Sequence, residues 1–145
     1  VFFGVVATAG STYVQTGSLS VLGLGASVPV GLLATSLLVV NNLRDIPGDT
    51  EVGKNTLAVR LGDLRTRYLY TAMMIATFAC VPLVAGLSGR LFASAALLAI
   101  FVGRRPVLAV LTGAKGPALI PVLGDTGKTQ LAFGLLFTIG LSIIL

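Results

Sequence analysis

Apolar residues run along this chain in blocks too long and too continuous for strands or for the exposed helices of a soluble domain, and short polar stretches part them. The blocks predict five helices, over about 1–15, 19–40, 68–87, 91–111 and 129–145. A membrane span takes roughly 20 mostly apolar residues, and the second and third blocks meet that outright. The fourth offers thirteen uncharged residues before Arg104 and Arg105. It spans if those two guanidiniums snorkel to the surface. The first and fifth blocks run to the two ends of the chain. The expected fold is all-α, a polytopic transmembrane helical bundle of about five spans, forming one unit over residues 1–145.

Within the blocks, small residues such as Gly4, Ala7, Ser11, Gly23, Ala26 and Ala34 let helices approach closely, as packing in lipid requires. Pro29 and Pro82 fall inside blocks, where neighbouring helices can satisfy the freed carbonyls. Gly113, Gly116, Pro117 and Pro121 make 112–127 a turn-rich connection, with room for a short interfacial segment over 118–123. Tyr13 and Gln15 stand where the first helix should end and fit an interfacial belt.

Composition agrees with the pattern. Of 145 residues, 55% are hydrophobic and 10% charged, with a mean hydropathy of +0.99; soluble domains carry about 25% charged residues. The single Cys80 lies in an apolar run and reads as a small buried hydrophobe, and there is no His. Disulfide frameworks, zinc sites and histidine catalysis are thereby excluded for this stretch. The net charge of +5 does not read as a nucleic-acid footprint, because the basic residues are scattered over loops without interleaved aromatics. Their distribution is topological. Residues 41–67 and 104–128 must share one side, and together they hold nine of the ten basic residues, leaving Arg90 alone on the other. The positive-inside rule then places that richer side in the cytoplasm, in the plasma membrane of the cell, and makes Arg65 and Arg67 topology anchors.

Candidate chemistry concentrates in one place, Asn41-Asn42-Leu43-Arg44-Asp45-Ile46-Pro47-Gly48-Asp49-Thr50-Glu51-Val52-Gly53-Lys54, which holds three of the five acidic residues. Asp45 and Asp49, four apart, share a face if the helix continues. Two like charges so close are unfavourable unless a cation answers them, and Mg²⁺ suits the role, since it takes one or two carboxylates and completes its shell with water and phosphate. Lys54 and Arg44 could hold the same phosphate. Pro47 removes a backbone donor, so the helix is expected to end near Arg44 and the carboxylates to converge from a turn.

The run from Asn41 through Arg60-Leu61-Gly62 resembles the second aspartate-rich motif of the UbiA superfamily of intramembrane aromatic prenyltransferases. The opening Val1-Phe2-Phe3-Gly4 with Tyr13-Val14-Gln15-Thr16-Gly17, and the late Leu123-Gly124-Asp125-Thr126-Gly127 with Gln130-Leu131-Ala132-Phe133-Gly134, resemble the 1,4-dihydroxy-2-naphthoate polyprenyltransferases of menaquinone synthesis. The resemblance implies a fold of about nine spans with two aspartate-rich motifs beside a central cavity, of which this chain matches the C-terminal five. No Asp precedes Asp45, so the first motif is expected in a missing N-terminal half, and that half is the implied protein partner. The implied substrates are a polyprenyl diphosphate and dihydroxynaphthoate, in a membrane lipid setting, with Mg²⁺ as cofactor and no nucleic acid. The implied roles are metal binding and catalysis for Asp45 and Asp49, phosphate contact for Lys54, and substrate contact for Asn41, Asn42, Arg44 and Arg60. Arg60 also fits a topology anchor, and Asp125 reads as a loop residue.

Two further readings stand beside this one. A catalytically inactive fragment or accessory protein fits the absence of the first motif. A cation-coupled transporter fragment fits carboxylates near a membrane, although both aspartates lie past the end of a span and not at its midplane.

Overall fold

A left-handed glycine, Gly17 (φ 71°), ends the first helical segment, and Ser20 starts the second by accepting a hydrogen bond from the Gly23 amide on its hydroxyl at 2.9 Å. The same punctuation recurs along the chain. Thr56 accepts from the Val59 amide to cap the third helix, and Gly89 (φ 68°) closes it. The computed structural model describes residues 2–143, and the side chains of residues 4–143; Val1, Ile144 and Leu145, the outermost parts of the first and last predicted helices, lie outside the described residues.

The helices are α1 (Gly10–Thr16), preceded by a π-helical turn over Phe2–Ala9; α2 (Val21–Glu51); α3 (Leu57–Ser88); α4 (Ile100–Leu111), preceded by a 3₁₀ stretch over Leu91–Ala99; and α5 (Leu119–Ser142), preceded by a 3₁₀ turn over Gly116–Ala118. Helices therefore stand at all five predicted places, and no strand occurs among the described residues. Three stretches, Val21–Glu51, Leu57–Ser88 and Leu91–Leu111, are long and apolar enough to cross a membrane.

α2 and α3 pack antiparallel along their length, α5 lies against the 3₁₀ stretch, α4 and α2, and the N-terminal π turn lies on α2. The close approaches are made by glycine. A Cβ on Gly4 would strike the Cα of Gly31 and lie 2.7 Å from the Ser27 carbonyl oxygen. A Cβ on Gly140 would strike the Phe92 carbonyl and lie 2.6 Å from the Cα of Ala93. The 3₁₀ stretch explains the second contact: with three residues per turn, Ala93, Ala96 and Ala99 stack on one buried face, a flat wall for α5. The core is Leu33 and Val40 of α2, Tyr70, Met74 and Val81 of α3, and Phe133 and Phe137 of α5. Phe78 meets Phe133 edge-on at 5.9 Å.

Three boundaries differ from expectation. α2 was expected to stop at Val40, or at Arg44 because of Pro47, and instead runs to Glu51. Leu43 is buried and Ile46, next to the proline, packs against the core, so tertiary packing carries the helix past a single missing donor. α3 starts eleven residues before Tyr68 because Thr56 caps it, and the helix breaks at Gly62 (φ 77°, ψ 169°), backbone that only glycine adopts comfortably. α5 begins at Leu119, since Pro121 falls in its first turn, where the amide would go unpaired anyway. The short segment over 118–123 and the loop position of Asp125 are thereby corrected: Ala118 closes the 3₁₀ turn, and residues 119–123 and Asp125 belong to α5.

Arg67 is not a topology anchor. It is 4% exposed, grips Asp63 through Nε (2.6 Å) and Nη2 (2.9 Å), and donates to the carbonyls of Val110 (2.6 Å) and Ala114 (2.8 Å). It thus satisfies carbonyls at the C-terminal end of α4, where a cation is also favoured by the helix dipole. Cys80 is half-buried and lines a groove of about 480 Å³ between α2 and α3. Tyr13 is 52% exposed.

Candidate functional site

α2 has 31 residues, so at 1.5 Å per residue it is about 46 Å long, against roughly 30 Å of hydrocarbon. The surplus, about ten residues, is the Asn41-to-Glu51 segment. A span that starts at Val21 would therefore carry the acidic run past the hydrocarbon as a rigid helical extension and not as a loop. Continuity through Pro47 also sets Asp45 and Asp49 one turn apart on neighbouring positions of a single helix.

The two carboxylates have different surroundings. Asp45 is half-buried; Arg44 donates to it twice, Nε to Oδ1 at 2.8 Å and Nη2 to Oδ2 at 3.1 Å, and the Asn41 amide donates to Oδ2 at 3.4 Å. Asp49 is 8% exposed. Lys54 reaches back from beyond the helix end to donate to its Oδ1 at 3.1 Å, held there by a backbone bond from the Lys54 amide to the Asp49 carbonyl at 2.8 Å. Gly53 (φ 70°) makes that reversal possible. Oδ2 of Asp49 is buried and has no partner among the described residues.

Charge repulsion between the aspartates is therefore met differently from the sequence argument, which called for a cation between them. Each carboxylate has its own cation from the chain, Arg44 for Asp45 and Lys54 for Asp49. The two predicted phosphate contacts are thus first of all partners of the predicted metal ligands.

Of the remaining predicted residues, Asn41 belongs to the Asp45 cluster. Asn42 points elsewhere, into a small gap of about 30 Å³ shared with Val39, Leu57, Ala58 and Thr66 at the α2/α3 junction. Arg60 is exposed on the first turns of α3 and makes no side-chain hydrogen bond among the described residues. Asp125 pairs with Lys128 at 2.9 Å on α5. Sequence reasoning missed Asp63 and Arg67, although their i,i+4 spacing and opposite charge were a visible signal for a helix pair.

No group of three or more acidic, His or Cys side chains able to hold a metal occurs among the described residues. The Asp45 and Asp49 pair nonetheless fits a hard divalent ion. An orphaned, buried carboxylate oxygen is costly to leave unpaired, and Mg²⁺ is held by one or two protein carboxylates with the rest of its shell from water and phosphate.

A polytopic all-helical bundle carrying an aspartate pair at one end of a long span is the arrangement of the UbiA prenyltransferases, and the chain belongs to the UbiA prenyltransferase family, whose profile matches residues 1–111. It is an integral membrane protein. Its relatives include 1,4-dihydroxy-2-naphthoate octaprenyltransferases. That of Mycobacterium leprae (strain TN) is 43% identical over 93% of this chain and 45% of the relative. That of Mycobacterium tuberculosis (strain ATCC 25618 / H37Rv) is 43% identical over 93% of the chain and 46% of the relative. That of Escherichia coli (strain K12) is 37% identical over 97% and 46%. The chain spans about half the length of the curated relatives it matches. No solved structure matches it.

Proposed function

We propose that this chain is the C-terminal part, residues 1–145, of a UbiA-type enzyme that transfers a polyprenyl group from polyprenyl diphosphate to 1,4-dihydroxy-2-naphthoate in menaquinone synthesis. The observation that carries the reading is the buried, unpaired Oδ2 of Asp49 one helical turn from Asp45, in a chain similar throughout to naphthoate octaprenyltransferases.

In this reading Asp45 and Asp49 hold Mg²⁺, which when bound neutralises charge developing on the diphosphate as its bond to the allylic carbon loosens. The chain's own residues do the rest. Lys54, 63% exposed at its side chain, swings from Asp49 to the diphosphate oxygens while its own ammonium stays in water. Arg44, 32% exposed at its side chain, offers a planar, two-pronged donor to the same group. Asn41 steadies Asp45 through its amide, and Arg60 and Asn42 contact substrate from the start of α3 and the α2/α3 junction. The electron pair of the broken carbon–oxygen bond leaves with pyrophosphate, the electron-rich ring attacks the allylic carbon, and the ring regains aromaticity by losing the group on the attacked carbon, a proton or the carboxylate as CO₂.

Location serves both ends of the donor. The diphosphate cannot enter hydrocarbon, and the polyprenyl tail cannot leave it; the overshoot of α2 keeps the carboxylates at the boundary between the two. The distribution of basic residues supports a site that faces the cytoplasm, in the plasma membrane.

The test is prenyl transfer by the detergent-purified chain, given Mg²⁺, dihydroxynaphthoate and labelled polyprenyl diphosphate, with and without an N-terminal half from a relative supplied separately. Product formed only on co-supply is the expected result. No product under either condition, with the bundle folded, would leave an inactive accessory protein and end the proposal.

A further inference from the structure

α3 and α4 diverge enough on their outer side to leave a groove of about 160 Å³. Its walls are Ile75 and Phe78 from α3 and Ile100, Gly103 and Val107 from α4, and a single charged residue, Arg104, lies at its edge. Ile75 is 64% exposed and Ile100 42%, so the groove opens outward and not into the core. Gly103 explains why it is shallow: with no side chain, α4 rests directly against Met74 and Phe78.

Arg104 is exposed and forms no ion pair or side-chain hydrogen bond among the described residues. The acids on the helices packed against α4 have cations of their own, Asp125 of α5 being paired with Lys128. Arg105 is the chain neighbour of Arg104, and the acid on the adjacent part of α3, Asp63, is already held by Arg67. Depth matters here. From Leu91 the nine 3₁₀ residues and the five that follow rise about 25 Å, which puts Arg104 about 5 Å short of the far edge of a 30 Å hydrocarbon layer. A guanidinium at that depth reaches the headgroup level by extending along the helix. On α3 the exposed stripe through Ile75 continues outward through Ala72 to Tyr68 and Arg65, an aromatic and a second cation at headgroup height.

We propose that this α3/α4 groove is a binding site for an anionic phospholipid of the leaflet at the aspartate end, with an acyl chain along the apolar walls and the phosphate on Arg104. Charge complementarity selects the occupant. An apolar channel that ends in an unanswered guanidinium suits a lipid phosphate, and a net negative headgroup over a zwitterionic one, because Arg104, with Arg105 next to it in the chain, repels the cationic choline or ethanolamine moiety. This site is remote in sequence and in the fold from Asp45 and Asp49, and it stands whether or not the catalytic reading does.

The experiment compares retention of phosphatidylglycerol and phosphatidylcholine of identical acyl chains by the purified full chain, counted as adducts in native mass spectrometry. Phosphatidylglycerol should be retained preferentially. Arg104→Gln should lower its retention about fivefold, while Arg105→Gln, which removes the same charge outside the groove, should lower it far less. Ile75→Trp, a lipid-exposed apolar exchange that fills the groove without altering charge, should also lower it, and keeps the test decisive if Arg104→Gln fails to fold. Equal losses in the two arginine variants would reduce the effect to net charge and overturn the site. So would equal retention of the two lipids, or displacement of the lipid by millimolar inorganic phosphate alone. A photoreactive residue placed at position 75 should crosslink to lipid in native membranes; a crosslink to protein there would show that a polypeptide covers the groove and would also overturn it.

Discussion

Lys54 holds one oxygen of Asp49 at 3.1 Å while the other oxygen of the same carboxylate is buried with no partner. A half-satisfied acid in a half-dry position is poised to take a second cation, and this asymmetry separates Asp49 from Asp45, both of whose oxygens are engaged. Replacement of either aspartate by asparagine in the reconstituted enzyme should lower turnover by at least about tenfold, roughly 1.4 kcal/mol of transition-state stabilisation. Asp49→Asn should in addition abolish any rise in thermal stability on adding Mg²⁺, because the ion can then no longer favour the folded state. A variant that keeps both turnover and the Mg²⁺-induced rise removes Asp49 from the site.

Lys54 gives a second, separable expectation. Lys54→Met leaves Asp49 in place and removes the cation that answers it. With the carboxylate unpaired, Mg²⁺ should bind more tightly, whereas, on the proposed reading of Lys54 as a phosphate contact, kcat/KM for the polyprenyl diphosphate should fall about tenfold. Weaker Mg²⁺ binding in this variant would show that Lys54 does not compete with the ion for Asp49.

The Asp63 and Arg67 pair predicts an asymmetry in stability. The Arg67 side chain is 5% exposed and that of Asp63 46%. Asp63→Ala strands a buried guanidinium and should cost about 3 kcal/mol, whereas Arg67→Met leaves an acid that water can solvate and should cost less. Thermal unfolding in detergent checks the order, and the double variant should be less damaged than the sum of the two. The reverse order would mean that the carbonyls of Val110 and Ala114, not the ion pair, depend on Arg67.

Much of this architecture was legible in the chain. Continuous apolar blocks locate helices because lipid leaves the backbone no other option, and the unusual run from Asn41 to Lys54 located the candidate site. Boundaries were harder. Pro47 read as a stop because a proline costs a helix one bond; what overrode it was the packing of Leu43 and Ile46 on the core, a tertiary fact absent from local pattern. The early start of α3 was readable from Thr56 ahead of Leu57, yet charges at Arg60, Asp63, Arg65 and Arg67 masked it by lowering local hydropathy. The pairing of Arg67 with Asp63 was readable from their spacing, but its burial was not: an arginine at a span's end anchors topology unless carbonyls from another helix arrive beside it, and here those of Val110 and Ala114 do.

Gly62 offers a fourth expectation. Its φ of 77° and ψ of 169° fall where only glycine sits without strain, whereas Gly89, at φ 68° and ψ 11°, occupies the ordinary left-handed region. Nothing lies within 4 Å of a Cβ built on either, so backbone alone decides the outcome. Gly62→Ala should cost about 1–3 kcal/mol and Gly89→Ala about 1 kcal/mol, read as loss of stability to unfolding. Equal costs would mean that the break in α3 relaxes when an alanine is introduced.

The pairing of each aspartate with a neighbouring base has an implication for order of assembly. On the proposed reading, a divalent ion that claims the carboxylates sets Arg44 and Lys54 loose at the moment a multiply charged leaving group requires them. Conversely, a diphosphate that draws those bases away uncovers the oxygens the ion requires. Thermodynamic reciprocity then makes the two ligands cooperative, each raising affinity for the other by one common factor.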